Sequence, residues 1–108
     1  SIWARETKDN FKWLVDHTLE MFTERMYRWP ESNEHFTKTF IEWCGKNIHN
    51  TIMNKTGLTN YAVAISDDCD CRKVEGFDNL STIDKYREYI RHDKDFATWT
   101  LRWRPTWY

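Results

Sequence analysis

TKDNFKWLVDHTLEMFTERMYRW, Thr7 to Trp29, is the stretch that decides the fold class. Phe11, Leu14, Val15, Thr18, Phe22, Met26 and Trp29 recur at helical spacing, while Lys12, Asp16, Glu20 and Glu24 fall elsewhere, so one stripe of a helix is apolar. Thr7 or Asp9 can cap its start. Pro30 ends it, because the residue before a proline is pushed out of the helical region. The spacing predicts a first helix over residues 8–29.

The same pattern returns in NEHFTKTFIEWCG, residues 33–45, with Phe36, Phe40, Ile41 and Trp43 or Cys44 on one side. Ser32 or Asn33 is its candidate cap, and Gly45 is expected to close it in the left-handed conformation. NIHNTIMNKTG, residues 47–57, keeps Ile48, Ile52 and Met53 in phase but carries Asn, Thr and His, which compete with helix formation; a single short helix is expected. From Leu58 to Asn79 the helical period is lost. YAVAI reads as an extended, buried, strand-like stretch and SDDCDCRKVEG as an irregular acidic one, together a long ordered loop, uncommon in a compact domain unless it does something. STIDKYREYIRHD then restores the pattern, with Ser81 or Thr82 as cap, Asp84 in the first turn, and Ile83, Tyr86 and Ile90 on one face. KDFATWTLRW is expected to form a last helix with Phe96, Trp99 and Trp103 in the core, ended by Pro105. The expected fold is all-α, a single compact helical domain over residues 1–108 with four to five helices and a long irregular middle loop.

A chain of 108 residues has room for one core. Seven Trp, six Phe and five Tyr stand against three Gly and two Pro, so the core or a binding face must be built from rings. Sixteen Lys and Arg nearly balance 17 Asp and Glu, which excludes the global basic field common among nucleic-acid proteins. A nucleic-acid site would have to be a local patch. There is neither an apolar run of the roughly 18 residues a membrane span needs nor a signal-peptide pattern, so a soluble, cytoplasmic protein with no membrane partner is expected. Cys44, Cys69 and Cys71 are an odd count, and the last two are one residue apart, poor geometry for a mutual disulfide; reduced thiols are expected.

Cys69 and Cys71 lie among Asp67, Asp68 and Asp70, but structural zinc sites use wider spacings in two pairs, so no metal is expected. His17, His35, His49 and His92 stand in no recognisable nucleophile–base arrangement. Gly45, Gly57 and Gly76 are scattered, so there is no phosphate-cradling loop, and no cofactor is expected. Glu24 and Arg28 have the spacing of a surface pair worth about 0.2 to 0.5 kcal/mol.

The C-terminal segment is the most informative. Lys85, Arg87, Arg91, Lys94, Arg102 and Arg104 interleave with Tyr86, Tyr89, Phe96, Trp99, Trp103, Trp107 and Tyr108. Rings that stack on bases, beside guanidinium groups that hold phosphate, are what single-stranded or flipped-base recognition needs. With Phe96, Trp99 and Trp103 on one helical face and so expected inside, Trp107 and Tyr108 are the candidate exposed rings, next to Arg102 and Arg104.

The order of these features resembles a family of short, largely uncharacterised proteins of tailed phages. The resemblance rests on Trp3, Arg5, Asn10, Trp13 and Leu14; on Glu24, Arg28 and His35; on Tyr86, Arg87 and Tyr89; and on Lys94, Phe96, Trp99, Arg102, Pro105 and Trp107. Members usually carry a further N-terminal portion with a His-Cys-Asp-Lys-His run and a proline-rich middle stretch. This chain has neither and resembles their C-terminal part, with IMNKTGLTNYAVAISDDCDC in the middle.

More remotely, the chain is similar to the pyrimidine-dimer DNA glycosylases (endonuclease V) of T-even phages, which share the run Arg104 to Tyr108 and an Ala-Ile-Ser like Ala64 to Ser66. That resemblance implies an amine nucleophile that attacks the sugar C1′ of a damaged nucleotide, assisted by a carboxylate. Those groups belong to an N-terminal segment that nothing here matches, and Ser1 aligns with an internal position, so no catalytic residue carries over. What carries over is a DNA-contacting tail: Arg102, Arg104, Trp107 and Tyr108 at the nucleic acid, with Arg5, Arg28 and Lys94 as further phosphate contacts. The expected partner is DNA, and the rival is a protein partner or a homo-oligomer that covers the exposed rings.

Overall fold

The computed structural model describes residues 2–50 and 53–108. The chain divides into two compact units, Ser1–Asn60 and Tyr61–Tyr108. Among the described residues there are three α-helices, several 3-10 turns and no strand. The all-α expectation holds, but two of the anticipated helices are turns.

In the first unit, α1 runs Lys8–Arg28 and α2 runs Lys38–Lys46. The cap of α1 is Thr7, whose hydroxyl accepts from the Asn10 N–H. Asp9, the other candidate, accepts instead from the N–H of Gly57, a residue at φ +91° that the chain can adopt without strain only as glycine. The apolar stripe of α1 buries Val15 and half-buries Phe11, Leu14, Thr18 and Phe22, while Met26 and Trp29 stay exposed. Trp3 and Ala4, in a 3-10 turn before α1, complete the buried apolar set of this unit. Trp3 meets Trp13 edge to face at 5.6 Å, and Trp13 stacks on His17 at 4.7 Å.

Asn10 ties this unit together and is fully buried. Its Nδ2 donates to the Trp3 carbonyl at 2.9 Å and to Thr59 Oγ1 at 2.7 Å, and its Oδ1 accepts from the Thr59 N–H at 2.9 Å. Thr7 Oγ1 donates to the Gly57 carbonyl at 2.8 Å, and the Lys8 N–H to the Lys55 carbonyl at 3.1 Å. The segment Lys55–Thr59 is thereby docked on the start of α1 through its backbone groups, the Lys55 carbonyl satisfying the orphan N–H of Lys8.

Helix α2 departs from expectation at both ends. Neither Ser32 nor Asn33 caps it; the Ser32 hydroxyl turns back to the Trp29 carbonyl, and the helix starts at Lys38 after Thr37. Gly45 is not a left-handed terminator but lies inside the helix, which ends at Lys46. A Cβ at Gly45 would sit 3.2 Å from Val15 Cγ1, so glycine here lets α1 and α2 approach closely. Beyond it, Ile48–Asn50 forms a 3-10 turn; Ile52 lies outside the described residues.

In the second unit, the anticipated loop forms the core. Ile65, Cys71 and Phe77 are its buried residues, with Cys69, Val74, Leu80, Tyr86 and Tyr89 packed on them. The stretch YAVAI is not a buried strand: only Ile65 is inside. Its backbone is satisfied by side chains, since the Tyr86 hydroxyl accepts from the Ala64 N–H and donates to the Ala62 carbonyl. Two 3-10 turns, Asp70–Lys73 and Phe77–Asn79, follow. Helix α3, Thr82–Asp93, is capped by Ser81, which accepts from the Asp84 N–H at 3.1 Å.

The last expected helix is absent. Residues 94–108 form successive turns closed by Ala97 to Lys94, Arg102 to Trp99 and Tyr108 to Pro105, with Leu101 at φ +58°. Thr98 and Thr100 flank Trp99, and β-branched residues on either side of a ring weaken helix formation. The Phe96–Trp99–Trp103 face therefore never forms: Phe96 is 73% exposed and Trp103 96% exposed.

Replacing Asn10 with alanine removes its side-chain hydrogen bonds with the Trp3 carbonyl and with the hydroxyl and N–H of Thr59, and a loss of about 2 to 4 kcal/mol is expected on urea unfolding. Ser81→Ala should cost about 1 kcal/mol, from the lost cap together with the hydroxyl's hydrogen bond to Asp84 Oδ2.

Candidate nucleic-acid interface

The seven residues expected at DNA divide between the two units. Arg5 is exposed at the end of the first 3-10 turn, while Arg28 is half-buried in the last turn of α1 with Nε on Glu24 Oε1 at 2.7 Å. Nearly the whole of α1, roughly 30 Å of helix, separates them, so the fold does not bring them together. Arg28 is engaged as the sequence spacing suggested, in a pair with Glu24.

The other five lie on the second unit. Lys94 closes α3 with its ammonium 5.0 Å from the Tyr89 ring centre and 5.4 Å from that of Phe96. Its pKa is raised, chiefly by hydrogen bonding to the Tyr89 oxygen, so it stays a cation. Arg104 lies 4.6 Å from the Tyr108 ring centre, and its Nη2 donates to the Tyr108 carbonyl at 3.3 Å.

The rings sort opposite to expectation. Trp107 and Tyr108 are half-buried and meet Trp99 edge to face at 6.4 and 5.2 Å. Arg87 from α3 lies 5.6 Å from the Trp107 ring centre, and Arg91 donates to the Trp107 carbonyl. Both arginines are themselves held by α3 carboxylates, Arg87 by Asp84 and Arg91 by Glu88. Trp107 and Tyr108 thus serve to fasten the tail. The rings left in solvent are Phe96 and, most of all, Trp103, between Arg102 and Arg104, both also exposed. The sequence signal that marks Trp103 is the arginine on each side, since a ring between two charges is poorly placed to enter a core. From Lys94 to Tyr108 three cations face one carboxylate, Asp95, so the tail is locally basic on a chain of net charge −1.

Among the described residues, no three His, Cys, Asp or Glu side chains converge to hold a metal. Asp93, at the end of α3, accepts from the N–H groups of Asp70 at 2.7 Å and Cys71 at 2.9 Å. Desolvation opposes its ionisation, but the two backbone donors, the Cys71 thiol and His92 outweigh it, and its pKa is lowered. Burial, followed by the hydrogen bond and charge of Asp93, pushes the Cys71 thiol up to about 11.

These two shifts, together with the lowered pKa of Asp84, contribute to the pH dependence of the second unit. An aspartate with a lowered native pKa stabilises above its unfolded value, near pH 3.9, and that contribution is lost as pH falls through the native pKa. A thiol held neutral in the fold stabilises below about pH 8.5, and that contribution is lost as pH rises toward about 11. Asp93→Asn should therefore lower stability at neutral pH and flatten its acid dependence, read by urea unfolding at several pH values. At pH near 8, alkylation should spare Cys71 longest among the three cysteines, and Asp93→Asn should shorten its protection.

No helix of the described residues is long and apolar enough to cross a membrane. Comparison of the chain with protein-family models, with curated proteins and with solved structures gives no match.

Proposed function

We propose that this chain is a DNA-binding protein of the kind its resemblance to phage DNA-repair glycosylases implies, which engages unpaired or damaged strands through its C-terminal aromatic and basic segment. The observation that carries this reading is Trp103, a 96% exposed indole between Arg102 and Arg104. Leaving so large a ring in water forfeits about 2 to 3 kcal/mol of burial, which a partner's flat face recovers. A base supplies that face without regard to sequence, and the flanking guanidinium groups suit the phosphates on either side. Phe96, with Lys94 beside it, repeats the combination of ring and cation seven residues earlier. Trp107 and Tyr108 support this surface from behind rather than touching DNA, and no catalytic group is assigned.

A second reading, a protein-interaction module, is favoured by a different observation. Phe36, Phe40 and Trp43 are all exposed along one side of α2 and its approach, with Phe36 at 87%. Such a stripe suits a protein partner or a second copy of the chain.

The two readings part on salt and on the ring that matters. With Lys94, Arg102 and Arg104 at phosphates, affinity for single-stranded DNA should fall about twentyfold between about 50 and 200 mM salt. Trp103→Ala should weaken binding about tenfold or more with stability unchanged, whereas Trp107→Ala should lower stability instead. Salt-independent self-association abolished by Phe40→Ser, with no DNA binding at low salt, would establish the second reading in place of the first.

A further inference from the structure

The first unit holds a cleft of about 240 Å³ that the tail reading does not use, lined among others by Phe22, Met26, Arg25, Glu34, His35 and Lys38. Its apolar lining is Phe22 and Met26; Phe22 stacks on His35 with ring centres 5.8 Å apart, and His35 also stacks, at 4.7 Å, on Phe36, which lies outside the lining. Its polar groups are mainly donors. The Nη1 of Arg25 donates to the Asn33 carbonyl at 3.2 Å, which fixes the guanidinium on the chain between α1 and α2. Lys38 pairs with Glu34 and lies 3.9 Å from Glu42.

The tautomer of His35 follows from its neighbours. Its Nδ1 accepts from the Thr37 N–H at 3.3 Å and lies 2.8 Å from the Thr37 hydroxyl. A neutral ring that accepts at Nδ1 carries its proton on Nε2, so the opposite edge of His35 is a donor.

We propose that this cleft binds one nucleotide, its base against Phe22, Met26 and His35 and its phosphate held by Arg25 and Lys38. Arg25, Lys38 and His35 supply donors, against the acceptor carboxylate of Glu34 and the Thr23 hydroxyl, which can donate or accept, and this set complements a ligand rich in oxygen acceptors. The volume is below the roughly 300 to 1,000 Å³ of drug-sized sites, so it suits nothing longer than one nucleotide. The same chemistry is offered by a free mononucleotide and by one residue of a DNA strand. The second source rests on the DNA-binding reading of the chain; the first does not.

The test is a nuclear magnetic resonance titration of the full chain, following the Met26 methyl and the His35 and Phe22 ring signals, with cytidine monophosphate, a short single-stranded oligonucleotide and phenyl phosphate. Cleft signals that move with cytidine monophosphate, about tenfold more weakly in His35→Ala and Arg25→Gln, are expected; His35 is exposed and Arg25 half-buried, and unfolding curves verify that the variants fold. Cleft shifts with the oligonucleotide alone would identify the strand as the source. Phenyl phosphate that binds as well as the nucleotide overturns base recognition, and still signals in the presence of millimolar nucleotide and of oligonucleotide overturn the site. Oligonucleotide binding that is lost in Trp103→Ala but unmoved in His35→Ala removes the cleft and leaves the tail. Nucleotide binding in the cleft, with oligonucleotide affinity indifferent to Trp103→Ala, removes the tail and leaves the cleft.

Discussion

The carboxamide of Asn10 is the constraint on which the first unit depends. It is fully buried and joins the Trp3 turn and the first turn of α1 to Thr59, 49 residues further along the chain. Each hydrogen bond contributes only about 0.5 to 1.5 kcal/mol net, but the cost of leaving a buried partner unmade is larger, about 1 to 3 kcal/mol. That asymmetry matters because the apolar core beside it is small, with Trp3, Ala4 and Val15 as its buried members. A unit that buries so little apolar surface leans on its polar network, and such a network also fixes one arrangement of the chain.

Asp93 has the equivalent place in the second unit. Its carboxylate gathers the N–H groups of Asp70 and Cys71, which holds the 3-10 turn against α3 and keeps Cys71 in the core with Ile65 and Phe77. From the same helix, Arg87 and Arg91 reach the Trp107 ring and carbonyl. The helix therefore organises both the core and the tail. With Trp99, Trp107 and Tyr108 gathered together, the turns between them project Trp103 outward. The exposed ring of the proposed DNA surface is a consequence of how its neighbours are fastened.

Several features were legible in the residues alone. Helices α1 and α3 carry their caps, Thr7 and Ser81, and their periodic apolar positions within a few turns of sequence, so both form where the pattern places them. The tail's combination of rings and guanidinium groups was legible as well. Its division into fastened and exposed members was not. Phe96, Trp99 and Trp103 sit at helical spacing, yet Thr98 and Thr100 oppose the helix, and periodicity without propensity was a poor guide. The cleft around His35 was equally hidden, because Phe22, Arg25 and Lys38 come from two helices and the chain between them.

By itself, then, the sequence determined what is local: an all-α chain, two capped helices, a locally basic aromatic tail and no global field for nucleic acid. Tertiary structure decided what depends on a distant partner. It made Gly45 a point of close approach to Val15 rather than a helix end, turned the irregular stretch between residues 61 and 79 into the core of the second unit, and exchanged Trp107 and Tyr108 for Trp103 at the surface. The reason is physical: a repeat along the chain says which side chains share a face, but whether that face is covered depends on residues the repeat does not contain.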